Sequence, residues 1–196
     1  MIAAVDRVLK RLLPLGSTRV VCTVAGESGV GKTTLAQGCV RALEGRGVGA
    51  RVIHQDDYFH LPPRANHRRR CEDLGHVGPT EVDRERLVAD LAMFRAGASS
   101  LRLPRVDAAT DCILTMDCDV CDVSVLVVEG TYVTTLPDVD LRVFVRGSPE
   151  STQKARRDRA RDPIEPITRR ILAREHALIA PHEAMADLVL EQLSPR

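Results

Sequence analysis

Val20-Val21-Cys22-Thr23-Val24-Ala25-Gly26-Glu27-Ser28-Gly29-Val30-Gly31-Lys32-Thr33-Thr34-Leu35-Ala36-Gln37 decides the fold. Val20–Ala25 is nearly unbroken apolar sequence and reads as a buried strand, and Thr34 onward opens a helical stretch. Between them, Gly26–Thr33 fits Gly-x-x-x-x-Gly-Lys-Thr, a phosphate-binding loop in the strand–loop–helix setting that such a loop requires. Successive backbone N–H groups at a helix N-terminus can wrap a triphosphate there. The nucleotide cradle is therefore expected at Gly26, Ser28, Gly29, Val30, Gly31, Lys32, Thr33 and Thr34. Lys32 would reach the β- and γ-phosphates, and the Thr33 hydroxyl would hold Mg²⁺. Lys10, Lys32 and Lys154 are the only lysines among 28 Lys and Arg residues. A compact ammonium thus stands where a planar guanidinium would fit poorly between phosphates.

Working outward, 196 residues suit one α/β domain. The net charge of +1 gives no global field pointing to nucleic acid or a membrane surface. Aromatic residues at 3% supply no base-stacking platform. Residues 1–16 space Asp6, Arg7, Lys10 and Arg11 among apolar residues as an amphipathic helix does, unlike a secretory signal. No apolar run reaches membrane-spanning length. A cytoplasmic setting is expected, with the six cysteines reduced.

After the helix at about 33–45 come a short strand, 50–54, and an irregular stretch rich in Pro, Arg and His, 58–80. Helical periodicity returns over 83–94. Residues 101–103 and 113–116 read as a flanking strand pair. Val123–Val128 and Leu141–Val145 read as parallel strands, helices are expected at about 149–159 and 165–179, and Asp187–Leu190 closes the sheet. This alternation implies a three-layer α/β/α P-loop NTPase fold with a five-stranded, mostly parallel sheet. Ligands should sit at the carboxyl ends of the strands.

Three strand ends carry the chemistry. Glu129 follows the central apolar run, where an acid can hold Mg²⁺ or its water shell, although a surface carboxylate would also fit. Asp56 and Asp57 end the second strand, where a carboxylate can take a proton from an attacking hydroxyl and also sit near the metal. An Asp-Asp turn capping a helix is the alternative. Lys154–Asp162 is a charged run compatible with a solvated helix face or with a short Arg-rich lid, 149–163, closing arginines over a phosphoryl group.

Taken with the loop, the ordered segments 26–34, 55–59 (Gln-Asp-Asp-Tyr-Phe), 78–83, 103–107, 127–130, 155–158 and 186–190 resemble the uridine kinase and phosphoribulokinase group of P-loop small-molecule kinases. The resemblance runs from about Val20 to Leu190. It implies ATP as phosphoryl donor with Mg²⁺, and Asp56 as general base beside Lys32. Thr33, Asp56 and Glu129 would be metal-associated, and Arg157 and Arg161 would be lid arginines. The lid is a few residues shorter than in uridine kinases.

Two departures separate this chain from a nucleoside kinase. Val77 falls where uridine kinases carry an aspartate for the ribose hydroxyls, and Val106 falls where they carry an aromatic residue beside the base. Neither valine can replace those contacts. Uridine is thereby disfavoured as acceptor. The basic segment 60–76 offers itself either as an exposed solvated loop or as a site for a carboxylate or phosphate on the acceptor. Asp57, Tyr58, Arg64, Arg69 and His76 are the acceptor-side candidates, for a small hydroxylated molecule with or without an anionic group.

Cys112, Cys118 and Cys121 form a loose cluster in which a zinc site lacks a fourth regular ligand. The expected activity is transfer of the γ-phosphoryl of ATP to a metabolite hydroxyl. A P-loop regulatory switch is the alternative, but the guanine-reading Asn-Lys-x-Asp and a switch Asp-x-x-Gly are absent from the sequence. Nothing in the sequence fixes the oligomeric state.

Overall fold

The computed structural model describes residues 1–16, 19–152 and 166–193. Helix α1 (Ile2–Leu12) leads into β1 (Val20–Gly26), α2 (Lys32–Glu44) and β2 (Ala50–His54). Then come α3 (Pro63–Glu72), α4 (Arg84–Arg95), β3 (Ser100–Asp107), β4 (Cys112–Asp119), β5 (Val125–Gly130) and β6 (Leu141–Val145), with α5 (Pro166–Ile179) and β7 (Leu188–Leu190) last. The sheet order is β2-β5-β1-β6-β7, and every neighbouring pair is parallel. All five carboxyl ends therefore open on one edge.

β1 is buried along its whole length, because helices cover both faces of the sheet. Val20, Cys22 and Val24 pack into a core completed by α1 and α2. Val21 and Ala25 point into a second core with Leu126, Val128, Phe94 of α4 and Ile179 of α5. This gives the three layers expected. The amphipathic N-terminal helix is present as α1, with Ala4, Val5, Val8, Leu9 and Leu12 turned to the first core. β3 and β4 form a separate antiparallel pair in which Leu101 faces Cys118 and Asp107 faces Cys112.

Two expectations need correction. The central strand begins at Val125 and continues to Gly130, so Glu129 lies within it. Val123 and Ser124 instead turn into the sheet, their N–H groups donating to Val120 and Gly49 carbonyls. The stretch 58–80 is also largely helical. Pro63 opens α3, and 3₁₀ turns at 55–58, 74–76 and 79–81 flank it. Proline suits the first helical position, where its missing N–H costs nothing. α3 shows no apolar stripe because Asn66 is its only buried residue, and polar contacts hold it instead.

Gly49 fits the entry of β2 against the start of β5. A Cβ there would stand 1.8 Å from the Asp122 carbonyl oxygen, while the Gly49 carbonyl accepts from Ser124 and Val125. Gly49→Ala should lower stability by about 1–3 kcal/mol, the usual range for forced overpacking. A denaturant titration checks this, and an unchanged midpoint would refute the close approach.

Candidate active site

The loop after β1 carries three glycines in backbone conformations that side chains rarely adopt: Gly26 at φ 143°, Gly29 at φ 92° and Gly31 at φ 98°. At Gly26 space is also closed, since a Cβ would meet the Val145 carbonyl oxygen at 2.4 Å. The chain thus curls tightly against β6 and delivers Gly31 as N-cap of α2. Lys32 is buried at the first helical position, and its Nζ donates to the Glu27 carbonyl at 2.8 Å. Such a glycine loop curled around a lysine at a helix N-terminus fits a polyphosphate.

Parallel register brings the next groups to the same edge. Glu129 pairs in register with Val24 of β1 and with His54 of β2. Its Oε1 accepts from the Thr33 hydroxyl at 3.0 Å and stands 2.7 Å from His54 Nδ1. Burial alone would raise the Glu129 pKa, but the His54 hydrogen bond, the Lys32 charge and the Thr33 hydrogen bond outweigh it and hold the carboxyl below its ordinary value. His54 moves up in return, through its bond to Glu129 and against its own burial.

Asp56 sits in the 3₁₀ turn after β2, accessible to solvent at the mouth of the cleft yet walled by protein. Desolvation by those walls and the nearby Glu129 charge raise its pKa, while Lys32, Arg70 and His54 oppose the rise. Thr33, Asp56 and Glu129 offer a hydroxyl and two carboxylates, a hard oxygen set suited to Mg²⁺ shared with phosphate oxygens. An open cavity of about 410 Å³ adjoins the loop, with Glu27, Arg146, Ser148, His176 and Gln192 among its walls.

The acceptor-side candidates do not converge. Asp57 Oδ1 accepts from the Val106 N–H at 2.8 Å, and its other oxygen lies 3.5 Å from Arg105, so Asp57 anchors β3. Tyr58 is buried and donates to Asp90 at 2.9 Å. Arg64 is exposed, its backbone N–H donating to Asp111. Arg69 is exposed and pairs along its own helix with Glu72 and Asp73. His76 contacts the side-chain oxygen of Asn66 at 3.0 Å. The arginines of the segment are thus spread over different partners. Arg157 and Arg161 lie outside the described residues, as does most of 149–163.

Sequence reading passed over a buried ionic cluster. Arg70 donates through Nε and Nη2 to fully buried Glu81, and its Nη1 lies 3.1 Å from Glu175 of α5. Glu81 also accepts from Asn66 at 2.8 Å and from the Gly78 N–H at 2.7 Å. Burial raises the Glu175 pKa, opposed by Arg70 and Lys32 and reinforced by Glu81 and Asp56. One signal was available: Glu175 sits on the buried stripe of Ile171, Leu172 and Ile179, where a carboxylate must find a partner. His54 and His176 gave no comparable sign.

Cys112 and Cys118 stand six positions apart on β4, about 20 Å along an extended strand. Among the described residues, no group of three or more His, Cys, Asp and Glu is arranged to hold a metal ion, and no helix is long and apolar enough to cross a membrane.

A glycine cradle with its lysine, a hydroxyl and carboxylates thus meet at adjoining strand ends, in the strand–loop–helix setting of a P-loop. The chain belongs to the Phosphoribulokinase / Uridine kinase family, whose model matches residues 21–196. It is 31% identical over 186 residues to the bifunctional alpha-galactosidase/sucrose kinase AgaSK of Mediterraneibacter gnavus. That match covers 88% of this chain but only 20% of the length of that relative. A protein provisionally assigned as a uridine kinase, from Bacillus stearothermophilus, superposes with a TM-score of 0.70 at 21% identity, covering 96% of this chain and 97% of its own. A protein provisionally assigned as a fructose transport system kinase, from Silicibacter sp. TM1040, gives 0.66 at 23% identity, covering 95% and 97%. These superpositions support the fold.

Two measurements probe this site. Arg70→Ala leaves two buried carboxylates without their cation and should cost about 3–5 kcal/mol, whereas Arg69→Ala should leave the unfolding midpoint nearly unchanged. Equal effects would refute the distinction. In metal-free protein, the raised His54 pKa means that its contribution is full below the unfolded value near 6.5 and fades as pH rises through the folded value. His54→Ala should therefore lose more stability at pH 6 than at pH 9; equal losses in urea titrations would contradict the His54–Glu129 bond.

Proposed function

We propose that this protein transfers the γ-phosphoryl group of ATP to a hydroxyl of a small carbohydrate. The observation that carries the transfer is the placement of Asp56, a carboxylate of raised pKa, within the field of Lys32 and Glu129 at the mouth of the phosphate loop. A raised pKa makes a carboxylate a better proton acceptor. Asp56 takes the proton of the acceptor hydroxyl, whose oxygen forms a bond to the γ-phosphorus as the bond to ADP breaks. Lys32 and the loop N–H groups would hold the phosphates, and Thr33 and Glu129, with Asp56, would hold Mg²⁺. That ion neutralises charge on the phosphate oxygens when bound. Arg157 and Arg161 are assigned to the same charge from the segment after Thr152.

The carbohydrate acceptor rests on two supports. Val77 is buried and its carbonyl accepts from Arg174 at 3.1 Å, and the Val106 N–H is bound by Asp57. Neither position offers a carboxylate or ring to a nucleoside. The sucrose kinase named among the relatives supports a sugar in its place. Arg69 and Arg70 of α3 are paired with carboxylates of the protein, which favours a neutral acceptor over an anionic one.

Sucrose, fructose and uridine offered with ATP and Mg²⁺ test this reading through ADP release and mass detection of product. Sugar-dependent release with uridine inert is expected; a preference for uridine would overturn the acceptor class. Asp56→Asn should keep affinity for an ATP analogue while transfer falls at least about a hundredfold, and near-normal transfer would remove Asp56 as the base.

A further inference from the structure

Three consecutive residues of α5 reach three different parts of the cleft. Arg174 Nε donates to the Val77 carbonyl at 3.1 Å. Glu175 Oε1 lies 3.1 Å from Arg70 Nη1 of α3. His176 Nδ1 meets Glu27 Oε1 in the phosphate loop. Successive helical residues point about 100° apart, so these three side chains fan over roughly 200° of the helix surface. α5 is therefore wedged between the donor loop and the acceptor wall, touching both.

The acceptor wall is tied together by one carboxylate. Glu81 accepts from Arg70, Asn66 and the Gly78 N–H, which binds α3 to the turn around Val77. On the donor side, Glu27 is held twice: its side chain by His176, its carbonyl by Lys32 at 2.8 Å. Lys32 is also the residue that must turn to the β- and γ-phosphates when a triphosphate enters. The carbonyl of Glu27 then shares or loses its donor, so nucleotide binding acts directly on the residue at the donor end of α5. A ligand shifts a distant wall only through such a change of contacts.

We propose that Arg174, Glu175 and His176 are positioning residues that couple nucleotide occupancy of the phosphate loop to the acceptor wall, residues 63–81. Filling the donor site tightens the wall before the acceptor arrives. This sets the hydroxyl in register with the γ-phosphorus, where a displacement of 1 Å can cost a hundredfold in rate. The coupling rests on the reading of 26–33 as a nucleotide site and is independent of which sugar is phosphorylated.

Amide hydrogen exchange with and without the non-hydrolysable analogue AMP-PNP and Mg²⁺ tests the coupling without any acceptor. In the unmodified protein, exchange should slow in 26–34 and also, by about fivefold or more, in 63–81. His176→Ala should keep the slowing at 26–34 and lose it at 63–81. His176→Gln, whose amide can still donate to Glu27, should restore part of it. Glu175→Gln weakens the link from the other end and should reduce the effect at 63–81 alone. His176 is only half-buried, so its replacement carries the test even where changes at buried Glu175 disturb folding. Undiminished slowing at 63–81 in His176→Ala, or none there in the unmodified protein, overturns the coupling. Absence of slowing at 26–34 in the unmodified protein overturns the nucleotide site itself, and the coupling with it. Failure of every sugar in the acceptor panel leaves this measurement standing.

Discussion

The pairing of β1 with β5 is the interaction on which the rest of the site depends. It is parallel, buried on both faces, and places Val24 in register with Glu129 and Ala25 with Gly130. Because β1 runs directly into the phosphate loop, that register sets the distance between the loop's hydroxyl, Thr33, and the carboxylate of Glu129. A one-residue slip would turn Glu129 to the opposite face and bury a charge among the aliphatic residues of the core. β2 adds His54 on the other side by the same rule. The three groups meet through backbone geometry, before any side chain has a choice of rotamer.

Charge explains why the cleft suits a divalent cation. Asp56, Glu81, Glu129 and Glu175 stand against Lys32 and Arg70, with His54 contributing according to its protonation. Arg70 is committed to Glu81 and Glu175, which leaves Lys32 as the principal fixed cation near Asp56 and Glu129. A bound metal ion would become the largest local charge and reverse the mutual repulsion of those carboxylates. Desolvation by the surrounding protein, with the Glu129 charge added to it, accounts for the upward shift of Asp56.

Much of this was legible from local sequence. The phosphate loop is contiguous, so its eight residues announce strand, turn and helix together, and the apolar runs of β1, β5 and β6 mark strands buried on both faces. Asp56 and Glu129 could be placed because strand ends in such a sheet share one edge. The reading failed where the determinants are polar and distant. α3 has no apolar period: its helix is secured by Asn66 and Arg70 reaching Glu81, eleven and more residues away, and hydrophobic patterning is blind to such contacts. Asp57 and Tyr58 looked like site residues because they adjoin Asp56. A 3₁₀ turn points neighbours in different directions, however, and sends them to β3 and α4 instead. Arg70 and Arg69 are adjacent on the chain, and only the helix phase tells the half-buried one from the exposed one.

The attachment of the β3–β4 pair has a consequence for how such proteins diversify. This ribbon stands outside the main sheet, most of β4 faces solvent, and the Asp57 carboxylate fastens it through the backbone N–H of Val106. Leu101 and Val120 seat the ribbon in the second core, while the fastening to a main-chain group is indifferent to the side chains on its solvent face. The exposed residues of β4 can be exchanged without disturbing Asp56, Lys32 or the strand register behind them. Variation on the solvent face of the ribbon is thereby uncoupled from the geometry at the strand ends.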